Sequence, residues 1–431
     1  ALFAEKGSNA WFEMDAADIL PRGFACPHCG KSTGFTKEED TLDGWFDSGS
    51  THFAAMKKDQ GFWPATMYLE GLDQYRGWFQ SSLLTAVGAF GEGAPFKECV
   101  THGWTVDGEG RAMHKSLGNG VDPADIFNEN GADILRLWAA SADYHADVRC
   151  SKAIFQQLSQ NYLKFRNTCK FMLDNLVDFD PAHLTKAEDM PVLDRWLITK
   201  LNELIEKVEQ SYNDYEFHII THAVNDFCVT TLSSFYLDIV KDRLYCEAAD
   251  SAERRSAQTA LYLTLSTLAK LFAPILAFTC DEIWLAMPHT AEDDARNVVL
   301  NDMNKPFTAY ALDAETMARW EHIIEVRTAV NGALEEARAA KVIGKSLEAD
   351  VHLTVPESDR FFADESPEAL ADIFIVSKVE LAIGDALAVK VDNAAGTKCP
   401  RCWKHSLEAN AEGLCPRCAE VVKHLHLTEL L

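Results

Sequence analysis

The chain has 431 residues, of which 47% are hydrophobic and 25% are charged, proportions typical of a globular protein with two or three domains. Its 66 acidic and 40 basic residues give a formal net charge of −26, which argues against a broad, non-specific nucleic-acid binder because such binders neutralise many phosphates. No apolar run reaches the roughly 20 residues that a membrane-spanning helix needs, so we expect no membrane partner.

Residues 1–40 are predicted to form a small irregular region. They start without an initiator Met and without the basic and apolar regions of a signal peptide, so we expect a cytoplasmic protein that is a fragment or a processed product. The stretch CPHCGK places Cys26 and Cys29 in a C-x-x-C turn, which supplies two metal ligands. We interpret this pair as a possible half zinc site; a reduced pair in a turn is the alternative.

Residues 41–150 are predicted to form an α/β domain or part of one. Short apolar runs such as TMYLEG and ECVTHGW alternate with glycine-rich turns and with helical stretches such as RGWFQSSLLTAV and ADILRLWAAS. Alternation of strands with helices is typical of parallel sheets. The segment has room for only two or three parallel strands.

Residues 151–312 are predicted to form a bundle of four or more helices. Apolar residues recur at the i, i+3, i+4, i+7 spacing of an amphipathic helix in three sets: Leu201, Leu204, Ile205 and Val208; Leu232, Phe235, Tyr236 and Ile239; and Leu261, Leu265, Leu268 and Phe272. We interpret these stripes as core rather than as ligand contacts. Pro274 is expected to end or kink the last of these helices.

Residues 313–391 are predicted to form a small α+β unit. Its pattern indicates a helix over 316–340, followed by strands at 351–355, 377–381 and 386–391.

Residues 392–431 contain little apolar sequence, so their fold needs another source of stability. Two C-P-R-C turns, separated by twelve residues, present four thiolates: Cys399, Cys402, Cys415 and Cys418. Four thiolates form the tetrahedral set that Zn²⁺ prefers, and they leave no open position for a substrate. We therefore expect one structural zinc ion per chain; two disulfides or unrelated thiols are the alternatives. The six cysteines outside the C-x-x-C turns lie singly in apolar stretches, which indicates reduced thiols.

The same tail is predicted to carry the main basic patch of the acidic chain. Its basic residues are Lys398, Arg401, Lys404, His405, Arg417 and Lys423. Trp403 follows the first knuckle directly. It could stack on an unpaired base, as aromatic platforms do, or shield the zinc site.

Five stretches come in order and at close spacing: DGWFDSGS (43–50), YLEGLDQYRGWF (68–79), THGWTVDGEGR (101–111), HKSLGN (114–119) and GADILRLWAASADY (131–144). Together with the terminal cysteines they resemble the C-terminal half of bacterial-type isoleucyl-tRNA synthetases, a class I aminoacyl-tRNA synthetase family, over essentially the whole chain. The valyl, leucyl and methionyl families share the general plan, but this combination of motifs resembles the isoleucyl family.

The resemblance implies a multidomain fold of α/β and all-α parts. In chain order these are the end of a connective or editing insertion (1–40), the second half of a Rossmann-type catalytic domain with a KMSKS-like loop (41–150), a helical-bundle anticodon-binding domain (151–312), a small α+β junction (313–391) and a zinc-binding module (392–431). No HIGH-like tetrapeptide occurs in the chain. We therefore expect the N-terminal half with that motif, most of the editing insertion and the partner of the first cysteine pair to lie outside it.

The resemblance also implies a reaction: ATP-dependent activation of L-isoleucine to isoleucyl-adenylate, then transfer to tRNA(Ile), with ATP as substrate together with Mg²⁺. Such a reaction needs positioning and well-placed cations more than proton transfer. We expect a monomer, and we expect this chain alone to bind tRNA without activating isoleucine. A non-catalytic tRNA-binding zinc module and a valyl-specific relative are the alternative functions.

By the same resemblance, Glu70 would bind the substrate ammonium from a position two residues beyond a probable strand end. Asp73 and Gln74 would contact the ammonium and the ribose. Trp45 and Trp78 would flank the aliphatic side chain, with core packing as their alternative. The full implied set for the adenylate is Glu70, Gly71, Asp73, Gln74, Trp45 and Trp78, and the set for ATP is Lys115, Gln74 and His102.

The loop DGEGRAMHKSLGN at 107–119 resembles the KMSKS signature loop. Lys115 and His114 are the implied catalytic residues, and Lys115 keeps the second lysine of the motif, which would meet the triphosphate. Ala112 replaces the first lysine and removes one positive charge. A histidine at 114 restores part of that charge only when protonated, near or below pH ~6.5; Arg111 is the other candidate to cover the loss.

Overall fold

The computed structural model describes residues 2–91 and 93–425, without the side chains of residues 57–60. The chain divides between Trp104 and Thr105 into two compact units. The domain boundaries at residues 40, 150, 312 and 391 stay predictions.

The described part of the first unit contains short helices and a pair of parallel strands. Its α-helices are α1 (Leu2–Lys6), α2 (Ala10–Glu13), α3 (Ala16–Ile19), α4 (Gly44–Gly49) and α5 (Trp78–Leu84), and its strands are β1 (Ala65–Gly71) and β2 (Phe96–His102). Segments His52–Gln60 and Thr85–Ala89 are π-helical, and Leu72–Arg76 is a 3₁₀-helix. Strand β1 pairs in parallel with β2 from Ala65↔Phe96 to Gly71↔His102, so the predicted short parallel sheet is confirmed.

The second unit begins with a small α/β segment. It comprises β3 (Thr105–Val106), a 3₁₀ turn (Lys115–Leu117), α6 (Pro123–Asn130), α7 (Ala132–Ser141) and β4 (Val148–Arg149). Strands β3 and β4 are parallel. Ile126 of α6, Ile134 of α7, Cys150 and Phe155 form one small buried cluster, which joins these two helices to the helix that follows.

A helical bundle follows, as predicted. Its helices are α8 (Lys152–Asp174), α9 (Val192–Asn213), α10 (Phe217–Asp226), α11 (Leu237–Cys246), α12 (Ala252–Phe272) and α13 (Ala277–Ala286), with a π-helical stretch (Phe227–Tyr236) and 3₁₀ turns (Ala187–Asp189, Val298–Leu300, Thr308–Tyr310). All twelve residues of the three predicted stripes are buried. Helix α12 ends before Pro274, as expected. None of the described helices is both long enough and apolar enough to cross a membrane.

The π-helical stretch differs from the regular α-helix that the sequence pattern predicts. The backbone N–H of Leu237 bonds to the carbonyl of Leu232, five residues earlier. Bonding over five residues belongs to the wider π turn. Leu232, Phe235 and Tyr236 are buried in this geometry, so burial of the stripe does not require α-helical turns.

The C-terminal part joins a mixed sheet to the bundle core. Its elements are α14 (Ala314–Ala339), β5 (Ala349–Pro356), α15 (Pro367–Phe374), β6 (Lys378–Gly384), β7 (Ala388–Asn393), β8 (Thr397–Lys398), β9 (His405–Ser406), α16 (Pro416–His424) and 3₁₀ turns (Ser346–Glu348, Glu357–Asp364). In the order β6-β5-β7, β5 is parallel to β6 and antiparallel to β7. One continuous hydrophobic core runs from the bundle into this sheet.

A buried carboxylate ties three bundle helices together. Asp194 of α9 is fully buried and accepts hydrogen bonds from Tyr236 Oη at 2.8 Å, from Arg243 Nη1 at 3.1 Å and from Ser256 Oγ. Buried charges are stable only when they are paired and hydrogen-bonded. The network therefore fixes α11. Arg401, between two of the terminal cysteines, contacts the end of this helix.

Candidate active site and metal centre

The predicted substrate residues of the first unit gather at the carboxyl end of β1. Glu70 and Gly71 pair with Thr101 and His102 of β2. The expectation that Glu70 lies beyond a strand end is wrong, because parallel pairing continues through Gly71 and keeps Glu70 within the strand. Its side chain is exposed, so the carboxylate is open to a ligand at this edge of the sheet.

Two glycines let the neighbouring side chains approach closely. A Cβ added at Gly71 would lie 2.6 Å from Asp73 Oδ1 and 3.7 Å from His102 Cε1, and one added at Gly77 would lie 2.5 Å from Gln74 Oε1 and 3.4 Å from the Trp45 ring. The contacts of 2.6 and 2.5 Å are closer than real Cβ atoms come to other atoms, so a larger residue at either position would displace the end of the Asp73 or Gln74 side chain.

Hydrogen bonds order this edge. Gln74 donates from Nε2 to Asp73 Oδ2 at 3.0 Å, and its Oε1 accepts the Trp78 backbone N–H at 3.0 Å. The amide of Gln74 therefore orients the Asp73 carboxylate and caps the start of α5. The structure brings together, within this unit, Trp45, Gly71, Asp73, Gln74 and His102.

The two tryptophans have different environments. Trp78 is half-buried, stacks on Tyr68 with ring centroids 4.2 Å apart, and donates from Nε1 to the Ser48 carbonyl at 3.0 Å. Trp45 is 48% exposed. Trp78 is thus held largely by protein contacts, whereas Trp45 offers open ring surface to a ligand.

In the second unit, residues 107–119 form a tight hairpin loop. Val106 bridges to Ala112, and the Asp107 N–H bonds to the Arg111 carbonyl at 2.9 Å. Gly110 and Gly118 have φ values of 84° and 60°, the left-handed region that favours glycine. These turns expose the side chains of His114 and Lys115.

Arg111 does not supply a free cation to this loop. Its Nε lies 2.9 Å from Asp107 Oδ2 and its Nη1 lies 3.2 Å from Glu109 Oε2. The idea that Arg111 covers the missing lysine is therefore not supported, because its guanidinium is paired within the loop. Lys115 is the remaining strong candidate for phosphate.

Sequence reasoning missed Asp107 and Asn119. Asp107 is 6% exposed, and hydrogen bonds from Asn119, and then from Arg111 and Glu109, hold the pKa of its carboxyl well below its usual range. The available signal was an Asp-Gly turn start and a Gly-Asn turn end, but neither motif reveals that the two ends meet.

The four terminal cysteines converge as predicted. Their sulfurs lie within 4.8 Å of one another, and Cys402 Sγ is 3.7 Å from Cys415 Sγ. A tetrahedral zinc ion with Zn–S bonds of about 2.3 Å requires sulfurs about 3.8 Å apart. All four cysteines are free, and 3.7 Å is far beyond a disulfide bond, so the disulfide alternative is wrong.

The first knuckle is shaped to present thiolates. The Trp403 N–H bonds to the Cys399 carbonyl at 2.9 Å, with Trp403 at φ 64°. Burial would raise the pKa of the Cys399 thiol, but backbone N–H groups of Cys402, Cys415 and Arg401 lower it to about 6. The donor set, its spacing and these N–H groups all fit a tetrahedral cation.

Cys26 and Cys29 form a similar turn without further ligands among the described residues. The Gly30 N–H bonds to the Cys26 carbonyl at 2.9 Å, and backbone N–H groups of Cys29 and His28 lower the pKa of Cys26. Within residues 2–91 and 93–425, only the terminal cysteines form a group of three or more candidate metal ligands. The half zinc site stays a prediction.

Carboxylates pair with most of the predicted basic patch, and most of these carboxylates lie far away in the sequence. Arg417 forms a two-pronged pair with Asp242 at 2.5 and 2.8 Å and bonds to Glu247 at 2.8 Å. Lys404 bonds to Asp372. Lys398 and Lys423 lie beside Glu348 and Glu420.

Arg401 also attaches the cysteine module to the helical bundle. It donates to the carbonyls of Tyr245, at 3.1 Å, and Cys246 at the end of α11, and its Nη1 lies 3.6 Å from Cys418 Sγ. Cations at a helix C-terminus are favourable because unpaired carbonyls point there. The arginines of both knuckles thus attach the module to the bundle, a role that sequence reasoning missed.

Trp403 remains open to a ligand. Its side chain is 57% exposed, with Lys345 Nζ 5.8 Å from the ring centroid. A residue that shields the sulfurs would be buried against them, so its exposure favours an outward-facing role over shielding.

We expect Arg417→Ala to lower the free energy of unfolding by about 2 kcal/mol, because it removes the partly buried pairs that Arg417 forms with Asp242 and Glu247. Burial opposes the charge on Asp242, but Arg417 and Lys404 hold its pKa below the usual value. Urea unfolding monitored by circular dichroism measures the loss. Lys423→Ala, which removes an exposed pair with Glu420, is the control and should change stability by less than about 0.5 kcal/mol. Equal losses would contradict the docking role.

Comparisons with known proteins agree with this arrangement. A family model described as class I tRNA synthetases (I, L, M and V) matches residues 1–151, and one described as the anticodon-binding domain of tRNA ligase matches residues 194–353. The isoleucine–tRNA ligase of Moorella thermoacetica is 47% identical, covering 99% of this chain and 48% of that protein. The isoleucine–tRNA ligase of Kosmotoga olearia is 46% identical, covering 97% and 46%.

The chain therefore spans about half the length of the curated relatives it matches. Among solved structures, LeuRS of Agrobacterium radiobacter, crystallised in a ternary complex with tRNA and LeuAMS, aligns with a TM-score of 0.51 at 18% identity, covering 77% of this chain and 37% of that one. At this identity the likeness concerns the fold alone.

Proposed function

The chain belongs to the class I aminoacyl-tRNA synthetases, and on that premise we propose that its protein is an isoleucine–tRNA ligase. The protein activates L-isoleucine with ATP and transfers it to tRNA(Ile). The observation that carries the proposal is the similarity to isoleucine–tRNA ligases at 45–47% identity along 97–99% of the chain. The twelve free cysteines support a reducing, cytoplasmic setting, and we propose that the protein acts as a monomer.

In this proposal the first unit binds isoleucine and its adenylate. Glu70 binds the ammonium group, since an exposed carboxylate at a strand end can pair with a cation without deep burial. Asp73, oriented by Gln74, contacts the ammonium and the ribose, and His102 lies beside them. Trp45 covers the aliphatic side chain with its open ring, while Trp78 supports it from the protein side.

Lys115 stabilises the phosphates during activation. The isoleucine carboxylate attacks the α-phosphate of ATP, the bond to the β,γ-phosphates breaks, and pyrophosphate leaves with Mg²⁺. Negative charge grows on the departing group, so a fixed cation lowers the barrier. His114, next to it, contributes less, because the loop holds it through its backbone N–H rather than through its ring.

The C-terminal part binds tRNA. The anticodon-domain match at 194–353 supports anticodon binding by the bundle, and zinc held by the four terminal cysteines keeps the module folded. Because most basic residues of the module are paired with carboxylates, we propose that Trp403 contributes by stacking on an unpaired base. Cys26 and Cys29 form half of a second zinc site.

The decisive test is amino-acid-dependent exchange between ATP and pyrophosphate, using the protein as purified from its source. We expect exchange with isoleucine, much weaker exchange with valine, and charging of tRNA(Ile). Stronger exchange with valine would favour the valyl-specific relative. Tight tRNA binding without exchange with any amino acid would favour the non-catalytic tRNA-binding module.

A paired variant tests the ammonium site in the same assay. Glu70→Gln removes the charge that holds the ammonium, so the KM for isoleucine should rise roughly 10- to 100-fold. Glu98→Gln, an exposed glutamate on the adjacent strand β2, is the control and should leave KM unchanged. Equal changes in both variants would remove Glu70 from the site.

A further inference from the structure

Asn119 joins the two limbs of the hairpin loop that carries Lys115. Its Nδ2 donates to Asp107 Oδ2 at 2.9 Å and to the Ala112 carbonyl at 3.1 Å, and its Oδ1 accepts the His114 N–H at 2.9 Å. One amide thus contacts the start of the loop, its middle and the residue directly before Lys115.

The carboxylate beneath this amide is itself fixed. Asp107 Oδ1 accepts the N–H groups of Glu109, at 3.0 Å, and Arg111, at 2.9 Å, and its Oδ2 also accepts from Arg111 Nε. Ionised acceptors make hydrogen bonds roughly twice as strong as neutral ones. Asp107 therefore provides a rigid base to which Asn119 holds the far limb of the loop.

The fold keeps that base in place. The Cys150 N–H bonds to the Val106 carbonyl at 2.8 Å, directly before Asp107, and the pairing of Val106 with Arg149 continues the parallel strands. A Cβ at Gly108 would lie 3.1 Å from Ser151 Cβ, so the turn also packs closely on the start of α8. The loop is thus attached to the second unit through Asp107.

We propose that Asn119 is a positioning residue, which acts on the reaction by holding Lys115 at a fixed place and orientation. The inference rests on the proposed function for its kinetic meaning. A cation stabilises a transition state only where it is already in position. The backbone of His114 is the element that Asn119 fixes, and Lys115 follows it directly at the start of the 3₁₀ turn.

Two substitutions separate the donor role from side-chain volume. Asn119→Ala removes all three bonds, whereas Asn119→Asp keeps the shape but cannot donate to Asp107 or to Ala112. We expect both to lower kcat for isoleucine-dependent exchange roughly 10- to 100-fold, with the KM for isoleucine unchanged. Asn128→Ala, at an exposed position of α6, is the matched control and should behave as the unchanged protein.

A second background shows whether Asn119 acts through Lys115. If it does, Asn119→Ala should have little further effect on kcat in a protein that already carries Lys115→Ala. Losses that multiply in the double variant, or a loss seen equally with Asn128→Ala, would overturn the proposal.

A measurement that does not depend on catalytic activity distinguishes failure of this inference from failure of the proposed function. Trypsin cleaves after Arg111 and Lys115, and cleavage requires the loop to open. Asn119→Ala and Asn119→Asp should be cut there roughly tenfold faster than the unchanged protein, with cleavage sites identified by mass spectrometry. Unchanged cleavage would overturn the inference. Faster cleavage in a protein without exchange activity would support the role of Asn119 in holding the loop and would refute the proposed ligase activity.

Discussion

Removal of zinc is expected to unfold the terminal cysteine module while the helical bundle stays folded. In the described part of the module, the packed core consists mainly of Leu414 and the ligand cysteines, with Ala419 and Val422 against them, which is too little apolar surface to fold a segment of this size. Structural zinc contributes an apparent 10–16 kcal/mol in small zinc domains. Loss of the ion should therefore abolish the fold of residues 397–424 rather than weaken it.

Metal analysis and hydrogen exchange measure this outcome together. We expect about one zinc per chain, or more where the first knuckle is completed by another pair, and loss of amide protection confined to the module after chelation. Cys418→Ser should reproduce the loss. Cys99→Ser, at an exposed position in β2, is the matched control and should retain both zinc and protection. A metal-free module with full protection would contradict a structural zinc.

Loss of zinc should destabilise the bundle only at the end of α11. Arg401 and Arg417 would leave the carbonyls and carboxylates that they contact there, so Asp242 and Glu247 would face each other without a cation. We expect a small destabilisation at this end, whereas the Asp194 network inside the bundle is untouched. This pattern separates undocking of the module from general unfolding.

The sequence predicts best those features whose cause is local. The stripe Leu201, Leu204, Ile205 and Val208 needs only helical periodicity and burial, and all four residues are buried. Each of the two terminal C-x-x-C turns likewise brings two sulfurs to one side through residues that are adjacent in sequence. The convergence of four sulfurs is therefore predictable from the spacing of the cysteines. The end of α12 before Pro274 follows from the missing N–H of proline.

Features that depend on distant partners could not be predicted in this way. The sequence predicts a basic patch in the module because Asp242, the partner of Arg417, lies 175 residues earlier, and no local pattern indicates their pairing. The sequence predicts Glu70 beyond a strand end, and this is wrong because the strand is extended by pairing with β2, whose residues lie about thirty positions later. The hydrogen bond from Asn119 to Asp107 depends on a hairpin loop that brings these two residues together.

Lys115→Ala is expected to lower the rate of isoleucine-dependent exchange roughly 100- to 1,000-fold, the range seen when one preorganised transition-state contact is removed. The Lys115 side chain is exposed at the start of the 3₁₀ turn, while Arg111 is paired with Asp107 and Glu109. With Ala112 in place of the first lysine of the motif, the loop has no equivalent cation among its described residues that is free of such pairing. The loss should fall on kcat, because the charge acts where pyrophosphate departs.

His114→Ser should lower the same rate by no more than roughly threefold, since Asn119 holds residue 114 through its backbone N–H, which serine retains. Lys115→Arg should recover part of the activity by keeping the charge with a different shape. Lys152→Ala removes an exposed lysine at the start of α8, beside Glu129, and serves as the matched control with unchanged activity. Equal losses from His114→Ser and Lys115→Ala would mean that the phosphate cation is assigned to the wrong residue, and that the histidine side chain takes part in the charge of this loop.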